Sequence, residues 1–93
     1  MTDPIDELRR QISANDRAIV EALNTRLQLV ARIKEVKAER GIDFLDPERE
    51  ASMLRELEQA NRGPLTPEGL REIFQEILDL TKREVGRGEE PSG

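Results

Sequence analysis

Residues 4–41 read PIDELRRQISANDRAIVEALNTRLQLVARIKEVKAERG, and the reading of this stretch decides the fold. Between its opening proline and its closing glycine nothing breaks a helix. An α-helix turns about 100° per residue. On that wheel Leu8, Ile12, Ile19, Leu23, Val30 and Ile33 fall within a stripe roughly 80° wide, the width of a buried face. Asp3 is a good N-cap, because its side-chain oxygen accepts orphan backbone N–H groups. Pro4 suits the first helical position, where its missing N–H costs nothing. Asp6 and Glu7 favour the positive end of the helix dipole, and Gly41 is a stop. The pattern predicts one uninterrupted helix from about Pro4 to Arg40.

The same start signal recurs at Asp46-Pro47, followed by Glu48, and at Thr66-Pro67, followed by Glu68. A second helix is predicted from Pro47 to about Asn61, ended by Arg62-Gly63-Pro64. A third is predicted from Pro67 to about Val85. No stretch carries the alternation of a strand. The fold class is therefore all-α, with three helices and a very long first one. Residues 1–85 form one domain, and the tail 86–93, GRGEEPSG, is expected to be disordered.

Length turns this into a statement about assembly. At 1.5 Å per residue the first helix spans about 55 Å. A compact chain of this size has a radius of gyration of about 12 Å, a sphere only about 32 Å across. The residues after Arg40 cannot cover such a helix. A second chain can, and symmetric dimers are the commonest oligomers, so an intertwined homodimer is expected.

Composition narrows the chemistry. The chain of 93 residues has no Cys and no His, which removes disulfides, thiol nucleophiles, imidazole bases and the common zinc sites. No metal or cofactor is expected. Net charge is −5, with no Trp or Tyr and two Phe, so nucleic acid is not an expected partner. No apolar run approaches the roughly 20 residues that span a bilayer, and MTDPIDELRR lacks the features of a secretory signal. No membrane association is expected, and the expected location is cytoplasmic.

Against this background the polar residues in the apolar seams stand out. Arg26 and Lys37 lie inside the stripe of the first helix, and Arg9 lies at its margin. In the second helix Glu50 projects between Leu54 and Leu57, with Arg49 at the edge. Thr81 lies within the arc of Leu70, Ile73, Phe74 and Ile77, and Val85 follows one turn later. Any one of these could be a snorkelling side chain or an interhelical ion pair. Taken together, Arg9, Arg26, Lys37 and Arg49 are four inward cations against one inward acid, and buried charges without partners do not accumulate. A ligand carrying roughly two negative charges balances them. With no nucleophile–base pair and no Gly-rich phosphate loop, the cluster can bind a dicarboxylate and stabilise charge that develops in a transition state.

The order LRRQI, LNTRLQLVARIKEVK, a short loop, DPERE and LREIFQEILDLT resembles the all-helical (AroQ-class) chorismate mutases over essentially the whole chain from Ile5 to Val85. Arg9, Arg26, Lys37, Asp46, Arg49 and Glu50 match that family's pattern without a gap. The resemblance implies a homodimer of three-helix chains and conversion of chorismate to prephenate, a step toward phenylalanine and tyrosine. It implies that Arg9 enters the partner chain's site and, with Arg26, binds the two carboxylates. Lys37 would reach a carboxylate and the ether oxygen whose bond breaks. Glu50 would accept the ring hydroxyl, helped by backbone near Asp46 and with Arg49 close by, and Thr81 would contact a carboxylate. Val85 departs from the pattern: many members carry there a glutamine or protonated glutamate that donates to the ether oxygen. That departure leaves room for low activity alone and for activation by another shikimate-pathway enzyme as partner. The alternatives are an isochorismate–pyruvate lyase of the same fold and a silent dimerisation or regulatory module. Phe44 and Leu45, in the loop GIDFLD, are expected either to pack over the mouth of the site or simply to anchor the loop.

Overall fold

The computed structural model describes residues 3–87. It contains α1 (Pro4–Arg40), α2 (Pro47–Ala60) and α3 (Pro67–Arg87), and among the described residues there is no strand. Each helix begins where a capping side chain precedes a proline. Asp3 accepts from the Ile5 N–H at 2.9 Å, Asp46 from the Arg49 N–H at 3.1 Å, and the Thr66 hydroxyl from the Gly69 N–H at 3.0 Å. Gly41 ends α1 with φ 67°, a left-handed conformation that glycine adopts without a Cβ clash. Its N–H and that of Ile42 return to the carbonyls of Ala38 and Lys37, the paired bonds of a Schellman stop. α2 stops one residue short of the predicted Asn61, which is the extended C-cap. α3 runs past the predicted Val85 through Gly86 and Arg87. The rest of the expected tail, residues 88–93, lies outside the described residues.

α3 is the spine. Among the described residues the most deeply buried are Leu70, Leu78, Thr81 and Val85, all on α3. They share an arc of about 80°, so one face of α3 holds the core. Both α1 and α2 pack on α3, but not on each other. The outer end of α3 is tied to α2 by Arg71 Nε donating to Glu58 Oε1 at 2.6 Å. That bond holds the Glu58 carboxyl below, and the Arg71 guanidinium above, its ordinary titration range. Because α1 and α2 splay apart over their common support, a cleft opens between them.

The chain is not a sphere. It measures 60 × 36 × 17 Å, with a radius of gyration of 17.2 Å. No residue of α1 is fully buried, and residues 4–22 are exposed throughout. Burial on this helix begins at Leu23. The apolar stripe upstream of it, Leu8, Ile12 and Ile19 included, faces open space. Among the described residues no helix is long and apolar enough to cross a membrane.

Candidate active site

The cleft between α1 and α2 has a volume of about 210 Å³. α1 contributes Arg26 and Lys37, one helical face three turns apart, with Val30 and Ile33 between them. The loop after Gly41 contributes Phe44, Leu45 and the cap residue Asp46. α2 adds Arg49 and Glu50 from its first turn, then Met53, and α3 closes the back with Leu78, Thr81 and Lys82. A small apolar hollow with a few converging polar groups is the usual form of a small-molecule site.

Local structure explains how these groups are held. Thr81 is 5% exposed, and its hydroxyl accepts from Arg26 Nη1 at 2.6 Å while donating to the Ile77 carbonyl at 2.6 Å. A hydroxyl with one donor and two acceptor positions does both at once. The guanidinium of Arg26 is thereby pinned to α3. Lys37 Nζ donates to the Phe44 carbonyl at 3.2 Å, and Lys34 Nζ lies 5.2 Å from the centre of the Phe44 ring. Two lysines of α1 thus anchor the loop, and its Phe44 and Leu45 also line the cleft. The side chain of Asp46 is occupied as the α2 cap, and its carbonyl accepts from the Glu50 N–H at 3.1 Å. Capping therefore sets the direction in which Glu50 leaves the helix.

Six of the residues singled out from sequence converge here: Arg26, Lys37, Asp46, Arg49, Glu50 and Thr81. Two do not. Arg9 is exposed on the outer half of α1, about 25 Å along the helix from Arg26, and no fold of a single chain brings it closer. Val85 is buried, 7% exposed, and lines a second cleft with Leu27, Gln28, Ala31, Lys34, Glu35 and Glu84 instead. Sequence reading missed Lys82, whose Nζ is 2.9 Å from Glu50 Oε1. On the helical wheel it lies about 100° from Thr81, outside the apolar arc. Its one signal is that the lone inward acid, Glu50, needs a near cation.

Charge decides what the cleft can hold. Its lining has four cations, Arg26, Lys37, Arg49 and Lys82, against two carboxylates, Asp46 and Glu50. The excess of two positive charges matches a dianion, the opposite of the chain's net charge of −5.

Comparison with known proteins leads to the same place. The sequence profile of the family described as chorismate mutase type II matches residues 8–85. A bifunctional chorismate mutase/prephenate dehydratase of Neisseria gonorrhoeae is 35% identical over 82 residues, covering 84% of this chain and 22% of that protein. A 4-amino-4-deoxychorismate mutase of Streptomyces pristinaespiralis is 33% identical over 84 residues, covering 88% of this chain and 64% of that one. The solved structure of a chorismate mutase (Form II) from Thermus thermophilus superposes with a TM-score of 0.87 at 32% identity, covering 95% of this chain and all of that one. The chain spans about a quarter of the length of the first curated relatives it matches. With its three helices, its cleft and nearly its whole length matched, the chain belongs to the chorismate mutase type II family.

Proposed function

We propose that the chain catalyses the rearrangement of chorismate to prephenate, within a homodimer. The observation that carries the reading is the cleft's excess of two positive charges, set by residues on three helices around an apolar floor. Chorismate is a flexible dicarboxylate, and its rearrangement needs no nucleophile, proton transfer or metal. Held compact between Arg26 on one side and Glu50 on the other, it loses the conformational freedom that makes the uncatalysed reaction slow. Arg26, braced by Thr81, binds one carboxylate. Lys37 turns from the Phe44 carbonyl to a carboxylate and the ether oxygen, where negative charge grows as the bond breaks. Glu50 accepts the ring hydroxyl, and Arg49 adds positive potential at the cleft edge.

The homodimer reading rests on the exposed stripe of α1. Ile5, Leu8, Ile12 and Ile19 are 49–59% exposed along one helix, a contiguous apolar strip of the kind that marks an interface. Two such helices paired side by side would carry the Arg9 of each chain toward the other's cleft, supplying the second carboxylate ligand. Val85 lines the other cleft and donates no hydrogen bond, so on this reading Lys37 is the donor to the ether oxygen. A missing donor of this type lowers rate by about 10² to 10³. A partner enzyme of the shikimate pathway that restores activity fits both this deficit and the relative in which a mutase is joined to a prephenate dehydratase.

Glu50 favours chorismate over isochorismate, because it stands ready for the ring hydroxyl as an acceptor. The relative that acts on 4-amino-4-deoxychorismate makes the amine in place of that hydroxyl the second substrate to assay. The test is loss of chorismate absorbance with the purified chain, with prephenate confirmed by acid conversion to phenylpyruvate. Turnover well above the uncatalysed rate supports the mutase. Pyruvate release from isochorismate, with chorismate untouched, replaces it with the lyase.

A further inference from the structure

We propose that Lys82 is a specificity-determining residue, through which the cleft selects a neutral hydroxyl over an ammonium group on the ring of its dicarboxylate substrate. The inference rests on the mutase reading of the cleft and supplies a reason for its fourth cation. Lys82 Nζ lies 2.9 Å from Glu50 Oε1, and the two side chains are 39% and 30% exposed. They come from different helices, α3 and α2, and both line the cleft. The neighbour of Lys82 in sequence, Thr81, holds Arg26. Two successive residues of α3 therefore set the two opposite walls of the site.

The ion pair changes what Glu50 can accept. A carboxylate has about four lone-pair positions, and Lys82 takes one on Oε1. A ring hydroxyl can donate to another without adding charge. A ring amine is an alkylammonium at neutral pH, and it would place a second cation on the same carboxylate, within reach of Lys82 and close to Arg49. Like charges at such separations repel strongly in a half-buried site, and discrimination of this kind needs a repulsive element as well as an attractive one. A site intended for the amine has the opposite requirement, an acid without a resident cation. As a plain surface ion pair the contact would contribute little to stability and nothing to selectivity.

Initial rates with chorismate and with 4-amino-4-deoxychorismate, at neutral pH, test this on the full chain and on Lys82→Gln and Lys82→Arg. The chain as it stands should prefer chorismate. Lys82→Gln should shift the ratio of the two kcat/KM values at least about tenfold toward the amine, mainly through KM. Lys82→Arg keeps the charge and should keep the preference. A ratio in Lys82→Gln within about twofold of the parent overturns the proposal, even if both rates fall together, since that is what a structural pair would do. So does a parent chain that prefers the amine. Chorismate turnover with an unmoved ratio sinks the proposal alone, whereas turnover of neither substrate, both by the chain alone and with the prephenate-processing enzymes of the same pathway added, sinks the mutase reading and the proposal with it.

Discussion

The two halves of α1 share one helix, one apolar stripe and opposite surroundings. Residues 4–22 carry Ile5, Leu8, Ile12 and Ile19 on the stripe, and all of them face open space. From Leu23 onward the helix lies against α3 and the loop, and there the stripe includes the cations Arg26 and Lys37, both half-buried. A self-sufficient monomer would have it the other way round, with the apolar residues covered and the charges wet. On the proposed reading, this inversion means that neither half is complete in one chain. The proposed dimer would cover the outer half, and the proposed dicarboxylate would meet the cations of the inner half. Intrinsic helix preference does not distinguish them, because both halves are continuous helix; only the neighbours differ.

Breaking the outer half should have the largest effect. Leu8→Glu together with Ile12→Glu puts charges into the proposed seam twice over by symmetry. The mass in solution, read by light scattering, should fall from two chains to one, and chorismate turnover should drop to background. A dimer that survives both changes would remove the seam from this face. Breaking the inner half comes next. Lys37→Ala should lower kcat by about 10² to 10³ and leave the dimer intact. Near-normal kcat in that variant would show that the ether oxygen is stabilised elsewhere.

The halves can also be tested against each other. Arg9→Ala and Lys37→Ala should each be poorly active alone. Co-expressed in equal amounts, they should recover about a quarter of the parent activity, because half of the dimers then hold one intact site in two. No recovery would mean that Arg9 does not serve the partner chain's site. A smaller effect is expected of Thr81→Val, which removes both the acceptor for Arg26 and the bond to Ile77 while keeping the shape. KM should rise about tenfold with little change in kcat, the mark of a lost positioning contact.

The smallest effect lies away from both halves, at the exposed Glu58–Arg71 pair. The hydrogen bond from Arg71 holds the Glu58 carboxyl below its ordinary range. A carboxyl so depressed binds its proton less readily folded than unfolded, so its contribution is full above the unfolded value and fades as pH falls through the folded one. The melting temperature of Glu58→Gln should sit slightly below the parent at neutral pH. That gap should close in acid, and a gap independent of pH would assign it to packing.

Much of this was legible before any coordinates. The three starts were written as Asp-Pro or Thr-Pro pairs, and the stop of α1 as Gly41, because capping chemistry is local and needs only adjacent residues. Arg26, Lys37, Glu50 and Thr81 were visible as polar residues on apolar arcs, although periodicity left each one open to a bland role, and Glu50 does pair with Lys82 across two helices. Lys82 was not, because it lies off the arc and matters only through Glu50, 32 residues earlier on another helix. The position of Val85 was equally hidden. Its arc pointed inward, but which of two clefts it lines depends on how α3 sits against α1.

The sequence by itself determined the three helices, their starts, the stop of α1 and its excess length. These follow from bonds between near neighbours and from a period of about 3.6 residues that any reader can count. Only the tertiary structure decided that α3 is the common support, that α1 and α2 part to leave a cleft, and that Lys82 meets Glu50 within it. Such contacts depend on the crossing of helices far apart in the chain, and crossing angles are set by the interlocking of side-chain ridges rather than by any local signal.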